Sequence, residues 1–394
     1  MRLKFKEYLN YLSFYFPMNC IKHIKRNNTL WLFGAWMGHK FSDNSKALFL
    51  YLLNNAKGKK IYWIAKDNKT YEELKRLEYP VLKSNSIKGI YYQIKAGVVF
   101  YCTGEGDLNS RLISGATHFN LWHGVGGGKK IGFDAGWYDS PYDKACFRLR
   151  RKIYNKTYFV CTSEEMKMVF KSAFRLKDNQ FIMAGQPRND MFFDQDYRIS
   201  SFDTSLFSGK RVILYLPTHR LEGNMKINCS ELFDLEQLNM FCERNNCIFL
   251  IKKHFYHKNE NEDLKSFSNI MDWTQLPNID TNELLMIADY LISDYSSVTA
   301  DYLLLNRPIF YYCFDLNRYL EMDRDMYWSY DEITPGRKSK TFDDLLQSMK
   351  RVIVDGIDDY SDERERVLSM FYGKQARKMV CHDIVNAVQT IVDD

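Results

Sequence analysis

Short apolar runs alternate with amphipathic stretches along almost the whole chain, and this alternation constrains the fold more than any other feature. Runs such as TLWLF, IYWIA, VVFYC and RVILYL have the length of buried strands, and the stretches between them have helical periodicity. Buried strands that alternate with helices are typical of βαβ units and parallel sheets. The sequence therefore predicts an α/β protein.

The alternation occurs twice, on either side of a polar stretch without clear periodicity that follows Arg188. Two successive arrays predict two doubly wound, Rossmann-type sheets that face a cleft, and 394 residues are enough for two such domains. We place the N-terminal domain at 28–190 and the C-terminal domain, with its terminal helices, at 205–394.

The first 27 residues form a separate segment that is both basic and aromatic. They contain six Lys or Arg against Glu7 alone, and therefore carry +5 of the net charge of +6. Cations mixed with Phe, Tyr, Leu and Ile are typical of segments that lie in the interface of an anionic membrane, so we expect 1–27 to associate with one. The alternative is a terminal helix that packs on its own domain and leaves its lysines in solvent.

The composition argues against several other classes of protein. Because only +1 remains for the rest of the chain, the broad basic surface of a nucleic-acid-binding protein is missing. No apolar run approaches the roughly 20 residues of a membrane-spanning helix, and the N-terminus has no signal-peptide pattern. Nine scattered cysteines without a CxxC pair favour reduced thiols in a cytosolic compartment. We therefore expect a peripheral protein at the cytoplasmic face of the cell membrane.

Polar residues follow the predicted strands, at the edge where α/β sheets bind ligands. His123 comes directly after HFNLW. It begins a glycine-rich, cationic loop that contains Gly124, Lys129 and Lys130. Imidazole titrates near neutral pH and is the commonest general base, and glycines let a backbone approach an anion closely. The loop lacks the Lys-Ser/Thr ending of a Walker A motif, and a mobile lid is the alternative.

Other basic residues occupy similar positions after strands. They are Arg188 after FIMAG, His219 and Arg220 after RVILYL, and His254 after IFLIK. A core histidine would more often fall inside an element, so three histidines in strand-end loops favour a ligand site. His254 and His257 are three residues apart, but no third ligand has matching spacing, so the sequence predicts no metal site from this pair.

The stretch LISDYSSVTADYLLLNRP joins a buried strand to a helix through Asp294, Ser296 and Ser297. Helix N-termini offer free N–H groups and a partial positive charge, which favour phosphate. Asp301 lies four residues beyond Ser297, on the same helical face. The alternative is an ordinary Ser/Asp cap without a ligand.

Five motifs occur in one order along the chain: LWHGVGGGKK, GQPRND, LPTHR, KKHF and ISDYSSVTADYLLLNRPIFYYCFD. Together they resemble the CDP-glycerol glycerophosphotransferase family, which includes teichoic-acid primases and polymerases and related capsule-polymer transferases. The segment FGAWMGHKFSDNSKALFLYL is similar to the N-terminal part of that family. The resemblance runs from about Trp31 to Tyr319.

The resemblance implies a GT-B-like fold, with the acceptor side in 28–190 and the CDP donor in 205–394. It implies that glycerol-phosphate, or ribitol-phosphate, passes from a CDP-polyol to a hydroxyl of a lipid-linked saccharide or a polyol-phosphate chain. CMP leaves, and the product is a phosphodiester of teichoic acid or capsule polymer.

The same resemblance implies roles for the strand-end residues. His123 matches the general base, and His254 matches the histidine that contacts the donor diphosphate. The implied donor-binding residues are Ser296, Ser297, Asp301, Asp294, His219, Arg220 and Arg188. We assign Gly124, Lys129 and Lys130 to the acceptor side, where the lysines would screen acceptor phosphates. Histidines and a helix N-terminus could stabilise the diphosphate without a metal, or Asp301 could hold Mg²⁺.

Two other functions compete with this one. A GT-B glycosyltransferase that uses a nucleotide sugar would have the same fold, because fold does not fix function. A non-catalytic scaffold in polymer assembly is the second alternative, and intact His123 and His254 argue against it. The sequence does not distinguish glycerol from ribitol, or wall polymer from capsule.

Overall fold

The computed structural model describes residues 13, 15–56, 58–125, 128–218, 228–253, 264, 266–276, 279–322 and 325–393. Within these residues the chain forms two compact units. Each unit contains one parallel sheet, as the alternation of apolar runs and helices predicts. The predicted α/β class with two doubly wound sheets is therefore confirmed.

In the described part of the first unit, seven parallel strands form a sheet in the order β3-β2-β1-β4-β5-β6-β7. The strands are β1 Asn27–Phe33, β2 Lys60–Ala65, β3 Val81–Lys83, β4 Ala96–Tyr101, β5 Thr117–Asn120, β6 Thr157–Cys161 and β7 Phe181–Met183. The α-helices are Asp43–Asn55, Asn68–Arg76, Ile87–Lys95, Pro141–Ile153, Glu164–Phe174 and Cys381–Asp393. Short 3₁₀ turns lie at Trp36–Gly38, Glu105–Asp107, Gly132–Ala135, Asp178–Gln180 and Pro187–Phe192.

Both faces of this sheet are buried, because successive residues of β1 pack on opposite sides. Trp31 and Phe33 join one core cluster, which includes residues of the helices Asp43–Asn55 and Cys381–Asp393. Leu30 and Leu32 join a second cluster on the other face. The near-continuous apolar runs in the sequence follow from this double burial.

In the described part of the second unit, six parallel strands form a sheet in the order β10-β9-β8-β11-β12-β13. The strands are β8 Arg211–Leu216, β9 Cys247–Ile251, β10 Ile270–Asp272, β11 Tyr290–Ser293, β12 Ile309–Tyr312 and β13 Lys338–Ser339. The helices are Cys229–Leu232, Leu235–Arg244, Thr281–Ile287, Val298–Leu303, Leu316–Met322, Tyr330–Ile333, Phe342–Ile353 and Ser361–Tyr372. Short 3₁₀ turns lie at Thr204–Phe207 and Gly373–Gln375.

The compact units differ from the predicted domain boundaries at two segments. Arg377–Asp394 belongs to the first unit, although the sequence analysis assigns it to 205–394. The carboxylate of Asp190 explains this return, because it accepts hydrogen bonds from the backbone N–H of Val380 (2.8 Å) and Cys381 (3.0 Å) at the start of the last helix. Gly124–Lys130 belongs to the second unit, although the prediction places it in 28–190.

The described end of the basic N-terminal segment packs on its own unit. Tyr15 and Met18 are buried together with Ile153 and Tyr154. The guanidinium of Arg26 donates hydrogen bonds to the carbonyl oxygens of Gln93, Leu112 and Ile21. Residues 1–12 and 14 lie outside the described residues, so the membrane prediction for 1–27 stays a prediction.

Across the residues that the structure describes, no helix combines the length and the apolar character needed to cross a membrane.

Candidate functional site

His123 follows β5, at the carboxyl edge of the first sheet. Its Nδ1 lies 2.9 Å from the backbone carbonyl oxygen of Cys102, which follows the neighbouring strand β4. A carbonyl oxygen only accepts hydrogen bonds, so Nδ1 carries the proton in this geometry. The neutral ring then has its lone pair on Nε2. This is the protonation state that a general base requires.

Two tryptophans flank the half-buried imidazole of His123. The ring centroids of Trp122 and His123 are 4.4 Å apart, and those of Trp36 and His123 are 5.8 Å apart. Trp122 itself has a φ of 57°, in the left-handed region that bulky residues rarely adopt. Its backbone N–H donates to the side-chain oxygen of Asn120 (2.9 Å). The turn that presents His123 is therefore strained and held by specific contacts.

Asp107 organises the loop that supplies the Cys102 carbonyl. Its buried carboxylate accepts hydrogen bonds from the backbone N–H of Cys102 (2.9 Å), Thr103 (2.8 Å) and Met37 (2.7 Å). Met37 lies in the loop after β1, and Cys102 lies in the loop after β4. One carboxylate thus joins two neighbouring strand-end loops beside His123.

Arg188 lies in the first unit and contacts the same turn. Its Nη1 donates to Asp43 Oδ1 (2.7 Å) and to the carbonyl oxygen of His123 (2.9 Å). The side chains of Arg188 and Asp43 are 13% and 5% exposed, so this is a largely buried ion pair. The resemblance implies that Arg188 binds the donor; in the structure its guanidinium contacts the His123 turn, and the donor role stays a prediction.

In the second unit, Asp294 follows β11 at the carboxyl edge of the sheet. Its buried carboxylate accepts hydrogen bonds from the backbone N–H of Thr218 (2.8 Å) and Tyr295 (2.6 Å) and from the Thr218 hydroxyl (2.5 Å). Thr218 follows β8, the neighbouring strand. Asp294 therefore fixes the two strand-end loops to which the sequence analysis assigns the donor.

The helix Val298–Leu303 begins directly after Ser297, as the DYSSVTADY motif predicts. Ser296 Oγ accepts from the backbone N–H of Val298 (3.3 Å), and the Ser297 hydroxyl makes no capping hydrogen bond to this helix. Both serines are half-buried. Their donor-binding role stays a prediction.

Asp301 is buried, and its Oδ1 accepts a hydrogen bond from the hydroxyl of Tyr372 (2.8 Å). This contact ties the helix Val298–Leu303 to the helix Ser361–Tyr372. The resemblance implies that Asp301 binds the donor or Mg²⁺, and this role stays a prediction. Among the described residues, no three His, Cys, Asp or Glu side chains are grouped as metal ligands.

The described end of the glycine-rich loop, residues 128–130, packs within the second unit. Lys130 pairs through its ammonium with Asp325 and through its N–H with the Asp325 carbonyl (2.8 Å), and Gly128 accepts from Tyr327 N–H (2.6 Å). Gly128 has a φ of 65°, and a Cβ there would lie 2.6 Å from Ile333 Cδ1. The positive φ favours glycine at this position, and the end of the Ile333 side chain would have to shift to admit a Cβ.

Lys129 points toward the strand-end loops of the second unit. Its Nζ lies 5.0 Å from the ring centroid of Tyr319, a cation–π distance. The Tyr319 ring stacks on Tyr295 at 3.8 Å with an interplanar angle of 17°. Tyr295 directly follows Asp294. Within the second unit, Lys129 is therefore close to the predicted donor residues.

Three predicted site residues, His219, Arg220 and His254, lie outside the described residues. The preceding residues nevertheless fix the strand ends from which they extend. Lys253 is buried after β9, and its backbone N–H donates to Thr274 Oγ1 (3.1 Å). Thr218, the residue before His219, is bonded to Asp294 as described above. The roles of the three residues stay predictions.

Sequence reasoning missed the residues that support His123. These are the Cys102 carbonyl, Asp107, Asp43 and Asn44. The only sequence signal was the SDN triplet in the segment that resembles the family, because nothing local links residue 43 or 44 to residue 123. The contacts arise from the fold.

Comparison with known proteins relates this chain to a family. The sequence profile of the family described as CDP-Glycerol:Poly(glycerophosphate) glycerophosphotransferase matches residues 14–388. The teichoic acid ribitol-phosphate polymerase TarL of Staphylococcus aureus is 31% identical over 255 residues, which are 62% of this chain and 42% of TarL. The teichoic acid glycerol-phosphate transferase of Staphylococcus aureus is 26% identical over 384 residues, 91% of this chain and 93% of that protein.

TarL and two other ribitol-phosphate polymerases that match are longer proteins, and the matched region covers only 37–45% of their length. Among solved structures, the wall teichoic acid polymerase TagF superposes with a TM-score of 0.73 at 19% identity, and the match covers 99% of both chains. This likeness confirms the predicted GT-B-like fold. Since the family profile spans nearly the whole sequence, the chain belongs to the CDP-glycerol:poly(glycerophosphate) glycerophosphotransferase family.

Proposed function

We propose that this protein transfers glycerol-phosphate or ribitol-phosphate from a CDP-polyol to the hydroxyl of an acceptor, with release of CMP. Family membership supports the reaction class. The observation that carries the proposal is the geometry of His123, whose Nδ1–H is bonded to the Cys102 carbonyl while Nε2 keeps its lone pair. The reaction needs such a base at neutral pH.

The proposed chemistry balances with the residues on hand. Nε2 of His123 takes the proton of the acceptor hydroxyl. At the same time, the oxygen of that hydroxyl attacks the phosphorus atom that carries the polyol. The bond from that phosphorus to the bridging oxygen of CMP breaks, and CMP leaves as the phosphodiester forms. Charge spreads over the phosphate oxygens, so positioned cations and N–H groups should supply much of the stabilisation. His254, Ser296 and Ser297 are the proposed donor contacts.

The polyol is glycerol or ribitol. Relatives of both kinds match, one named as a ribitol-phosphate polymerase and another as a glycerol-phosphate transferase. Assay of CMP release from CDP-glycerol and CDP-ribitol in parallel, with a lipid-linked saccharide or short polyol-phosphate acceptor, tests the reaction and identifies the donor. Sugar transfer from a nucleotide sugar, with neither CDP-polyol consumed, would favour the GT-B glycosyltransferase instead.

We place Lys129 on the donor side within this proposal. Lys129 and Lys130 are predicted above to lie on the acceptor side, but both pack in the second unit, where the resemblance places the donor. The ammonium of Lys129 is held over Tyr319, next to the loop that begins at Asp294. Lys130 is held by Asp325. Lys129 and Lys130 therefore have different environments, and we expect their substitutions to change the KM for the donor by different amounts.

We also propose that the acceptor is a teichoic-acid or capsule precursor at the cytoplasmic face of the membrane, and that the basic N-terminal region contacts anionic lipid. Two features of the described residues support this. An open cavity of about 480 Å³ is lined by Lys25, Arg26, Asn27, Asn28 and Lys95. Phe16, in the same region, is 68% exposed.

Sedimentation with vesicles tests the membrane contact. Vesicles rich in phosphatidylglycerol should retain the protein, and neutral phosphatidylcholine vesicles should not. The double variant Lys25→Glu and Lys95→Glu should lose the binding, while Lys69→Glu, a change at an exposed lysine outside this cavity, should keep it. Equal retention of all three proteins would contradict the proposed surface.

A further inference from the structure

A network of buried polar side chains surrounds the turn that ends at His123, and the sequence assigns it no role. Asn44 is fully buried in the first turn of the helix Asp43–Asn55. Its Nδ2 donates to the carbonyl oxygens of Trp122 (2.9 Å) and Leu121 (3.2 Å) and to Gln186 Oε1 (2.5 Å). One amide therefore holds both carbonyls that precede His123.

The network closes through Arg188. The Oδ1 of Asn44 accepts from the backbone N–H of Arg188 (3.1 Å), and the Arg188 guanidinium bonds to the His123 carbonyl and to Asp43. Asp43 Oδ2 also accepts from Trp36 Nε1 (3.2 Å), and the Trp36 ring packs against the imidazole. Asn44 thus contacts the backbone of the His123 turn directly, and its neighbour Asp43 contacts the turn through Arg188 and Trp36.

Backbone strain shows that the network is needed. Trp122 has a φ of 57° and Asp43 a φ of 67°, in the left-handed region that costs free energy for residues other than glycine. These conformations persist only where surrounding contacts impose them. Without the Asn44 amide, the Trp122 peptide would be free to relax, and the Nδ1–H of His123 would lose its alignment with the Cys102 carbonyl.

We propose that Asn44 is a positioning residue for the transfer reaction, which acts on His123 by holding the strained Trp122 peptide, and that Asp43 assists it through Arg188. The proposal rests on the proposed role of His123 as general base. It concerns orientation only, because Asn44 is buried and contacts backbone rather than substrate. A misplacement of about 1 Å in a catalytic group can cost about 100-fold in rate.

The test is a double-mutant cycle between Asn44→Ala and His123→Ala, read as the rate of CMP release. We expect Asn44→Ala to lower kcat by about 10- to 100-fold with the donor KM within twofold of wild type. In the His123→Ala background the same change should cost nothing further, because the group that it positions is gone. Asn55→Ala, at the other, exposed end of the same helix, is the matched control and should leave kcat unchanged.

A second readout does not depend on turnover. In ¹⁵N-histidine-labelled wild type, the His123 ring should be the Nδ1–H tautomer, and Asn44→Ala should mix the two tautomers. If no donor is turned over, the function proposal fails while this measurement still decides the positioning proposal. If Asn44→Ala does not fold, Arg188→Lys takes its place, because the shorter lysine side chain does not bring its ammonium to the Nη1 position that bonds to both Asp43 and the His123 carbonyl. A kcat loss that persists undiminished in the His123→Ala background, or an unchanged tautomer, would overturn the proposal.

Discussion

The Nδ1 atom of His123 donates to the backbone carbonyl of Cys102 at 2.9 Å, and this contact joins the ends of two adjacent parallel strands. It fixes which ring nitrogen is basic before any substrate arrives. The supporting side chains are Asp107, which organises the loop after β4, and Asn44, in the first turn of the helix Asp43–Asn55. Their contacts hold the imidazole of His123 in one orientation.

Lys129 should affect the donor rather than the acceptor. Because its ammonium is held over Tyr319 beside the Asp294 loop, Lys129→Ala should raise the KM for the CDP-polyol by roughly 5- to 30-fold, which corresponds to the loss of about 1–2 kcal/mol. Lys130→Ala, which removes a partner of the exposed Asp325, should change it less than twofold. Initial-rate measurements that vary donor and acceptor separately check this. A rise in the acceptor KM alone would restore the acceptor-side assignment.

Asp190 should anchor the last helix to the first unit. Asp190→Ala removes the acceptor of two N–H groups at the start of Cys381–Asp393, and we expect a loss of about 1–2 kcal/mol in the free energy of unfolding. Hydrogen exchange should speed up in residues 381–393 before the rest of the unit. Asp383→Ala, an exposed residue in the first turn of the same helix, is the control. Protection of this helix at the wild-type level in Asp190→Ala would contradict the anchoring role.

His118 should make the protein sensitive to mild acid. It is fully buried in β5, and burial lowers its pKa from the ordinary value of 6.5 to about 4. The unfolded chain therefore binds a proton that the folded chain does not, between about pH 6.5 and pH 4, and stability falls as the pH drops through that window. Acidification from pH 7 to pH 4.5 should therefore lower the free energy of unfolding by roughly 2–3 kcal/mol through His118.

Urea unfolding at the two pH values measures this effect. His118→Phe removes the titrating group, together with the Nε2 hydrogen bond to the Ile113 carbonyl (3.0 Å). The fall in the free energy of unfolding between pH 7 and pH 4.5 should therefore be smaller in this variant by roughly 2–3 kcal/mol. His23→Gln, at an exposed histidine, should leave the dependence as in wild type. The same loss of stability on acidification in His118→Phe and wild type would show that His118 is not responsible.

The sequence predicted the long strands well, because strands that are buried on both faces are apolar at every position. It missed β3, β10 and β13, which have two or three residues and leave no detectable run. Thr162 and Glu165 have the spacing of a capping box, which predicts a helix capped by Thr162, but this prediction is wrong by one residue. Ser163 caps the helix instead, by accepting from Met166 N–H at 3.1 Å.

Two further differences have clear causes. The stretch SELFDLEQLNMFCERNN at 230–246 has the periodicity of one helix, but the structure has two, because Phe233 turns into the core and Asp234 caps a new start at Leu235. The last helix was assigned to the wrong sheet, since periodicity shows that a helix has an apolar face and not which sheet that face covers. In the structure this helix belongs to the first unit, where the carboxylate of Asp190 accepts hydrogen bonds from the two backbone N–H groups at its start.

For the site, the strand-end rule located His123 correctly, at the carboxyl edge of a parallel sheet. It could not identify the Cys102 carbonyl, because a backbone acceptor has no sequence signature. Arg188 was recognised as important from its motif, but its partner Asp43 lies 145 residues away and only the fold brings them together. Long-range polar contacts of this kind are the part that composition and spacing do not encode.

The most direct test of the central claim is CMP release from CDP-glycerol and from CDP-ribitol, measured with wild type and His123→Ala in the presence and absence of acceptor. We predict release that requires acceptor, occurs with one of the two donors, and falls by at least about 100-fold in His123→Ala. Acceptor-dependent release that continues at the wild-type rate in His123→Ala would contradict the role of His123, and no release from either donor would contradict the proposed reaction.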